Sequence, residues 1–336
     1  LRIKGVTRQW EGGGYYRIRQ PLDELAKHGH QTSCHMAKSD IRAGSADVIV
    51  GQLIGGHNGK VIGGACTSVE VVHAWWRGLF KDAALVYELD DDPFNIEPIS
   101  PSYGDYAHPV VHDSIKHCLE VSDLVTCSTV PLAERMSEYN KNVVVLPNRI
   151  DELMLGMERP KWDRLTVGWA GGATHINDIM SAGYGLKQIM KWHKDIDVHF
   201  IGADLRPFVK TPRPIRYTPW HVNTLEYYKH IDFDIGIAPL VPTVFAESKS
   251  YIKALEYAAL GIPVVASDTR PYRDFVLDGV TGFLVKREHE WARRLRDLIN
   301  DEAMRVEMGR KAREVAAEYT IQTGWRDWET AYQGIL

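Results

Sequence analysis

The chain has 336 residues, 44% of them hydrophobic and 25% charged, with a net charge of −4. At roughly 150 residues per domain this length suggests two domains, each large enough to bury a core. The slightly acidic balance gives no electrostatic reason to expect a nucleic-acid partner. No apolar run approaches the roughly 20 residues of a membrane span, and the opening LRIKGV lacks the apolar core of a signal peptide. The expectation is therefore a cytoplasmic protein, with loose attachment to a membrane surface left open. Cys34, Cys66, Cys118 and Cys127 are scattered without a CxxC pair, a pattern that reads as buried free thiols in a reducing compartment.

In chain order, Leu1–Val6 reads as a strand that runs into EGGGYYRIRQP (Glu11–Pro21) and a helix over Pro21–Lys27. A triple glycine at the end of a first strand suits a loop at a ligand cleft, although it is not GxGxxG and predicts no dinucleotide site. Strands follow at Ala46–Val50, Ala83–Leu89, Leu124–Cys127 and Val143–Pro147, with a helix at Val110–Glu120. Charged residues, Pro160 and Trp162 then break the pattern. A second series has strands at Leu165–Ala170, Val198–Gly202, Ile235–Leu240, Ile262–Ala266 and Gly282–Val285. Asp301–Leu336 is helical by periodicity, and its Trp325, Trp328 and Tyr332 are expected to pack.

Strands alternating with helices predict an α/β fold of parallel sheets. Two such series predict two Rossmann-like domains facing across a cleft, over residues 1–150 and 151–320. The helix 321–336 is compatible with a return to the first domain.

The most informative run is AESKSYIKALEYAALGIPVVASD (Ala246–Asp268). Ser248, Lys249 and Ser250 precede a helix through Lys253, Glu256 and Leu260; Gly261 ends it and Pro263 opens a strand. A helix start with free N–H groups and the positive end of a dipole suits a diphosphate. Glu256 lies six residues beyond Ser250, roughly 9 Å along the axis, placed for a ribose whose diphosphate sits on the helix start. VGWAGGATHINDI (Val167–Ile179) reads as strand, turn and helix start, where Gly171 and Gly172 let the backbone approach a ligand. In YELDDDPFN (Tyr87–Asn95) three carboxylates at a strand end point in different directions. They therefore suit a place at the cleft better than a metal site, with Asp91 and Asp92 the candidate general bases.

The run Ser248–Ser267 resembles the donor signature of retaining GT-B glycosyltransferases of family 4, also called glycosyltransferase group 1. The usual pattern has two glutamates eight positions apart. Glu256 matches the second, which in the family binds the nucleotide ribose, while Ser248 stands at the first position. KSYIKALEYAALGIPVVAS is similar to a variant branch with Lys-Ser before the helix, common among surface-polysaccharide and phage-encoded members. The resemblance implies a UDP- or GDP-sugar donor, no cofactor, no metal and retention of configuration. It implies donor contacts from Lys249, Ser250 and Tyr251, and a phosphate contact from His175. PLVPTVF (Pro239–Phe245) would line the donor pocket, and RYTPWHV (Arg216–Val222) would approach the nucleobase. A similar G-x-Y-R-x-x-x-P run in that branch implies that Gly13, Gly14 and Arg17 border the cleft. PNRIDE (Pro147–Glu152) resembles the family's P-N-G-I-D segment, with Arg149 in place of Gly and projecting toward the cleft. Acceptors compatible with the branch are a glycan, a lipid-linked glycan, a protein or a modified nucleobase. Competing readings are a sugar-nucleotide epimerase of the same fold and a degenerate binding protein.

Overall fold

The computed structural model describes residues 1–7, 9–36, 45–52, 60–61, 64–65, 82–160, 162–221 and 223–336. Two parallel six-stranded sheets organise them. The first contains β1 (Arg2–Thr7), β2 (Gln31–Met36), β3 (Val48–Gln52), β6 (Ala84–Leu89), β7 (Leu124–Cys127) and β8 (Val143–Val145), ordered β2-β1-β3-β6-β7-β8. Between β3 and β6, β4 (Lys60–Val61) and β5 (Gly64–Ala65) form a separate antiparallel pair. The second sheet contains β9 (Thr166–Gly171), β10 (Asp197–Gly202), β11 (Arg216–Pro219), β12 (Ile235–Ala238), β13 (Val264–Ser267) and β14 (Gly282–Val285), ordered β11-β10-β9-β12-β13-β14.

Alternating side chains cover the two faces of each sheet. In the first, Val6, Ile49, Leu85 and Tyr87 pack with Val111, Ile115 and Leu119 of the helix Pro109–Val121. The opposite face, Ile3, Val48, Val50, Val86 and Leu124, packs with Leu22, Leu25, Trp325, Trp328 and Tyr332. The C-terminal helix Ile321–Gln333 thus completes the core of the first sheet. Central strands covered on both sides are almost wholly apolar, which made them readable. The edge strands Gln31–Met36 and Arg216–Pro219 were not legible: both are largely half-buried and lack a clean alternation.

The expected long C-terminal helix is instead two helices. Glu302–Ala316 ends in a short turn at Ala317–Tyr319, and Ile321–Gln333 begins anew, its N-terminus capped by the Thr320 hydroxyl accepting from Thr323 N. Among the described residues no helix is long and apolar enough to cross a membrane. Cys118 and Cys127 are buried free thiols and Cys34 is half-buried. Cys66 and Val222 lie outside the described residues.

Candidate functional site

Each sheet has a topological switch point, where successive connections leave a strand in opposite directions and open a crevice at its C-terminal end. In the first sheet it lies between β1 and β3, and in the second between β9 and β12. Glycine turns sit at both. Gly12, with φ of +54°, opens the first turn. A Cβ on the next residue, Gly13, would stand 2.0 Å from Asp90 Oδ2 and 2.8 Å from Gln52 Nε2. A Cβ on Gly171 would stand 2.7 Å from Lys253 Nζ and 2.7 Å from Trp169 Cζ2. Both turns therefore lie directly on polar or charged side chains, and only hydrogen fits between.

The helix Ile252–Ala259 follows Ser250, and Gly261 at φ +69° turns the chain out of it. Its inner face is held against β9 and β12 by Tyr257, whose ring lies over Gly236 and whose hydroxyl accepts from Ala170 N at 2.9 Å. That registration points Lys253 toward the end of β9, where its ammonium donates to the Ala170 carbonyl and lies 5.3 Å from the Trp169 ring centroid. Among the described residues no carboxylate comes within ion-pair distance of Lys253. Burial pulls its pKa down to about 8, against the opposing pull of Glu256.

Glu256 shares that face and is 8% exposed. Its Oε1 accepts from Tyr228 at 2.9 Å and, across the domain interface, from Tyr16 at 2.5 Å. Burial pushes this carboxyl up to about 7, with Lys253 and Tyr228 holding it lower than burial alone would. Beside the turn, His175 Nδ1 is 2.7 Å from Asp178 Oδ2, and Asp178 Oδ1 accepts from Val241 N at 2.8 Å, tying the turn to the loop after β12. Desolvation lowers the His175 pKa.

Residues 252–315 match the family model for glycosyl transferases group 1. A curated relative, the D-inositol 3-phosphate glycosyltransferase of Paenarthrobacter aurescens, is 39% identical over 84 residues; the stretch is 24% of this chain and 19% of that protein. The match thus spans about a fifth of the relative's length. Whole-chain similarity is structural. Sucrose-phosphate synthase from Thermosynechococcus elongatus superposes with TM-score 0.68 at 13% identity, over 99% of this chain and 98% of that one. HepE from Anabaena, solved with UDP and glucose, superposes with TM-score 0.68 at 10% identity, over 99% and 100%. The chain has the GT-B fold, and residues 252–315 match the group 1 glycosyltransferase model.

The group 1 segment begins at Ile252, and the residues just before it face the first domain. Lys249 Nζ lies 3.1 and 3.2 Å from the two Asp91 oxygens and 4.4 Å from the Phe245 ring centroid. Ser250 Oγ accepts from Asn148 Nδ2 at 2.8 Å, and the Ser248 carbonyl accepts from the Thr129 hydroxyl at 2.7 Å. The Ser248 side chain itself is fully buried. Tyr251 stacks on Phe275 at 5.1 Å and meets Tyr319 edge-on, in an aromatic cluster. Trp220, 5.0 Å from Tyr227, stays partly exposed near the turn. Gly172 has open space where a Cβ would project.

The three aspartates diverge. Asp90 lies beneath Gly13, and burial together with the neighbouring Asp91 pushes it up to about 6. Asp91 has a side chain 44% exposed. Asp92 is a correction: it is fully buried, and its carboxylate accepts from Phe94 N at 3.0 Å and Asn95 Nδ2 at 2.9 Å, closing the turn rather than facing the cleft.

Two arginines require the same correction. Arg17 is 0% exposed; its guanidinium grips Glu88 at 2.6 and 3.1 Å and donates to Asn148 Oδ1 at 2.9 Å and to the Leu146 carbonyl at 2.5 Å. Arg149 turns away to the C-terminal helix. It pairs with Asp327 at 2.9 Å and lies across Gly324, where a Cβ would stand 1.8 Å from its Cζ. Both cations meet partners far away in sequence that the motif did not reveal.

Sequence reasoning did not single out Lys253, Tyr16 or Tyr228. For Lys253 the signal was present: it lies three residues before Glu256 and shares its helix face. Tyr16 reaches Glu256 across 240 residues, and nothing local announces the contact.

Proposed function

We propose that the chain is a glycosyltransferase that moves a sugar from a nucleotide-sugar donor to an acceptor hydroxyl. The carrying observation is the buried cation Lys253, with no carboxylate in ion-pair distance among the described residues and set beneath the Gly171–Gly172 turn at a Rossmann switch point. A buried ammonium without a directly paired anion is costly, and a diphosphate at the turn would neutralise it. The first N–H groups of the helix Ile252–Ala259 add dipole stabilisation at the same place.

In this reading, Lys253, Lys249 and His175 hold the diphosphate and Glu256 accepts from the ribose. Uridine is the favoured base, supported by the HepE complexes with UDP and with UDP-glucose. The bond from the anomeric carbon to the diphosphate oxygen breaks, and its electron pair leaves with the phosphate, where the lysines stabilise the charge. The acceptor oxygen bonds to the same carbon, and its proton passes to Asp91 or to the departing phosphate on the same face. Configuration is then retained, and the cations do this work without a metal ion. The first domain, roughly residues 1–150, takes the acceptor, and the second takes the donor. The acceptor class is a glycan, a lipid-linked glycan, a protein or a modified nucleobase.

A thermal-shift panel with UDP, GDP, ADP, dTDP and CMP tests the donor site, followed by transfer from the matching labelled sugar nucleotide with and without chelator. One nucleotide at 100 times Kd should add about 2.7 kcal/mol of stability. Transfer should persist in chelator. No response to any nucleotide, and no label transferred or hydrolysed, would overturn the reading.

A further inference from the structure

The carboxylate of Glu256 is asymmetrically engaged. Oε1 accepts from two hydroxyls, Tyr16 at 2.5 Å and Tyr228 at 2.9 Å. A carboxylate oxygen has two in-plane lone pairs, so this pair of donors fills it. Among the described residues nothing donates to Oε2.

Tyr228 belongs to the second domain, but Tyr16 comes from the first, and its placement is over-determined. It lies in a single wide helical turn, Tyr15–Arg19, just after the glycine turn. The next residue, Arg17, is fixed by Glu88, the Leu146 carbonyl and Asn148, and Asn148 in turn holds Ser250 before the Glu256 helix. Tyr15 and Tyr16 both pack in the second domain's core with Tyr227, Tyr228 and Leu255. The hydroxyl thus arrives at Glu256 from a braced segment.

We propose that Tyr16 is a positioning residue for the nucleotide: from the first domain it fixes the Glu256 carboxylate in one plane, with Oε2 presented to the donor ribose. This rests on the donor-site reading above and deepens it. Nucleotide recognition then belongs to both domains, and a ribonucleotide binds more tightly where the first domain has brought Tyr16 into contact. A donated hydrogen bond also favours the ionised carboxylate, the form that accepts from ribose hydroxyls. The groups facing Glu256 are Lys253 on its own helix, Tyr16 and Tyr228 by hydrogen bond, and Tyr227, Tyr257 and Tyr272 nearby. Lys253 is the cation among them, and the phenols of Tyr227, Tyr228, Tyr257 and Tyr272 stay neutral, their ionisation opposed by burial.

The test is calorimetric titration of UDP, or whichever nucleotide the panel selects, into the full chain and into Tyr16→Phe, Glu256→Gln and the double variant, from pH 6 to 8.5. Tyr16→Phe keeps the ring and should leave the melting temperature near wild type. Its affinity should fall about tenfold, the worth of one charge-assisted hydrogen bond. The loss relative to wild type should be larger at pH 6 than at 8.5, since losing the donor raises the pH at which Glu256 ionises. If Tyr16 acts through Glu256, the double variant loses no more than Glu256→Gln alone. Additive losses, or wild-type affinity in Tyr16→Phe beside a large loss in Glu256→Gln, would overturn the proposal and leave the donor reading standing. Wild-type affinity in Glu256→Gln would instead overturn the ribose assignment, and the proposal with it. Should Tyr16→Phe melt early, the pH dependence of the affinity ratio, measured below its melting temperature, still decides: a ratio flat across pH counts against the proposal.

Discussion

The two glycine turns occupy equivalent places in the two sheets, yet opposite charges lie beneath them. Under Gly13 is a carboxyl, Asp90; under Gly171 is an ammonium, Lys253. The buried cations differ in the same way. Arg17, behind the first turn, is matched by Glu88 in a two-pronged pair, whereas Lys253 has a carbonyl oxygen and no carboxylate in reach among the described residues. One architecture thus yields a first domain whose buried cation is internally satisfied and a second that holds an unspent positive charge at its cleft. A cation paired within the fold contributes to order, and in the proposed reading one without a carboxylate in ion-pair distance serves a phosphate.

The largest effect should come from breaking the satisfied side. Arg17→Met removes the partner of Glu88 and leaves a buried carboxylate unpaired, at a cost of about 3–5 kcal/mol. Denaturant unfolding would show it as a lowered midpoint. A stability near wild type would mean that the pair is not the structural element that the contrast requires. Almost as large, but confined to turnover, is the expected effect of Asp91→Asn. Transfer should fall about 10²- to 10⁴-fold, as for loss of a general base, with nucleotide affinity nearly kept. Equal loss of affinity and transfer would assign Asp91 to the donor side through its contact with Lys249.

The contrast was only half visible in the sequence. Strand-helix alternation and the Ser248–Ser267 run made the architecture and the helix Ile252–Ala259 legible, because central strands and a glycine-ended helix have strong local patterns. The charges were harder to interpret. Arg17 and Asp90 stood in motifs, but whether an arginine is spent or free depends on a partner such as Glu88, 71 residues away. Lys253 looked like any helical lysine until Tyr257 set the rotation of its helix against β9. Arg149, read as projecting toward the cleft, follows the C-terminal helix because Gly324 leaves room for its guanidinium.

Breaking the unsatisfied side should act on ligand rather than fold. Lys253→Met should weaken nucleotide diphosphate binding about 10- to 100-fold, the range of a hydrogen bond to a charged group, without loss of stability. The pH dependence follows from the two buried groups. Glu256, pushed up to about 7, loses its charge and its acceptor role as pH falls below that value. Lys253, pulled down to about 8, loses its charge as pH rises above that value. Affinity of wild type for the nucleotide should therefore peak between these limits, and the alkaline limb should vanish in Lys253→Met. A wild-type profile that is flat through pH 8 would mean that Lys253 does not meet the phosphate.

The smallest and most symmetrical test places one methyl group in each turn. Gly171→Ala sets a Cβ 2.7 Å from the Lys253 ammonium; that end of a flexible chain can yield, but the Trp169 ring at the same distance is fully buried and cannot easily do so. Gly13→Ala drives a Cβ to 2.0 Å from Asp90, whose carboxylate must rotate away. Each should cost about 1–3 kcal/mol of stability, as overpacking does. Their functional effects should separate: Gly171→Ala displaces the cation and weakens nucleotide binding by a few-fold, while Gly13→Ala leaves nucleotide binding intact and lowers transfer. Paired titrations and transfer assays on the two variants read this directly. If both variants lost nucleotide affinity alike while Tyr16→Phe kept it, the two turns would border a single ligand, and the assignment of donor and acceptor to opposite sheets would have to be withdrawn.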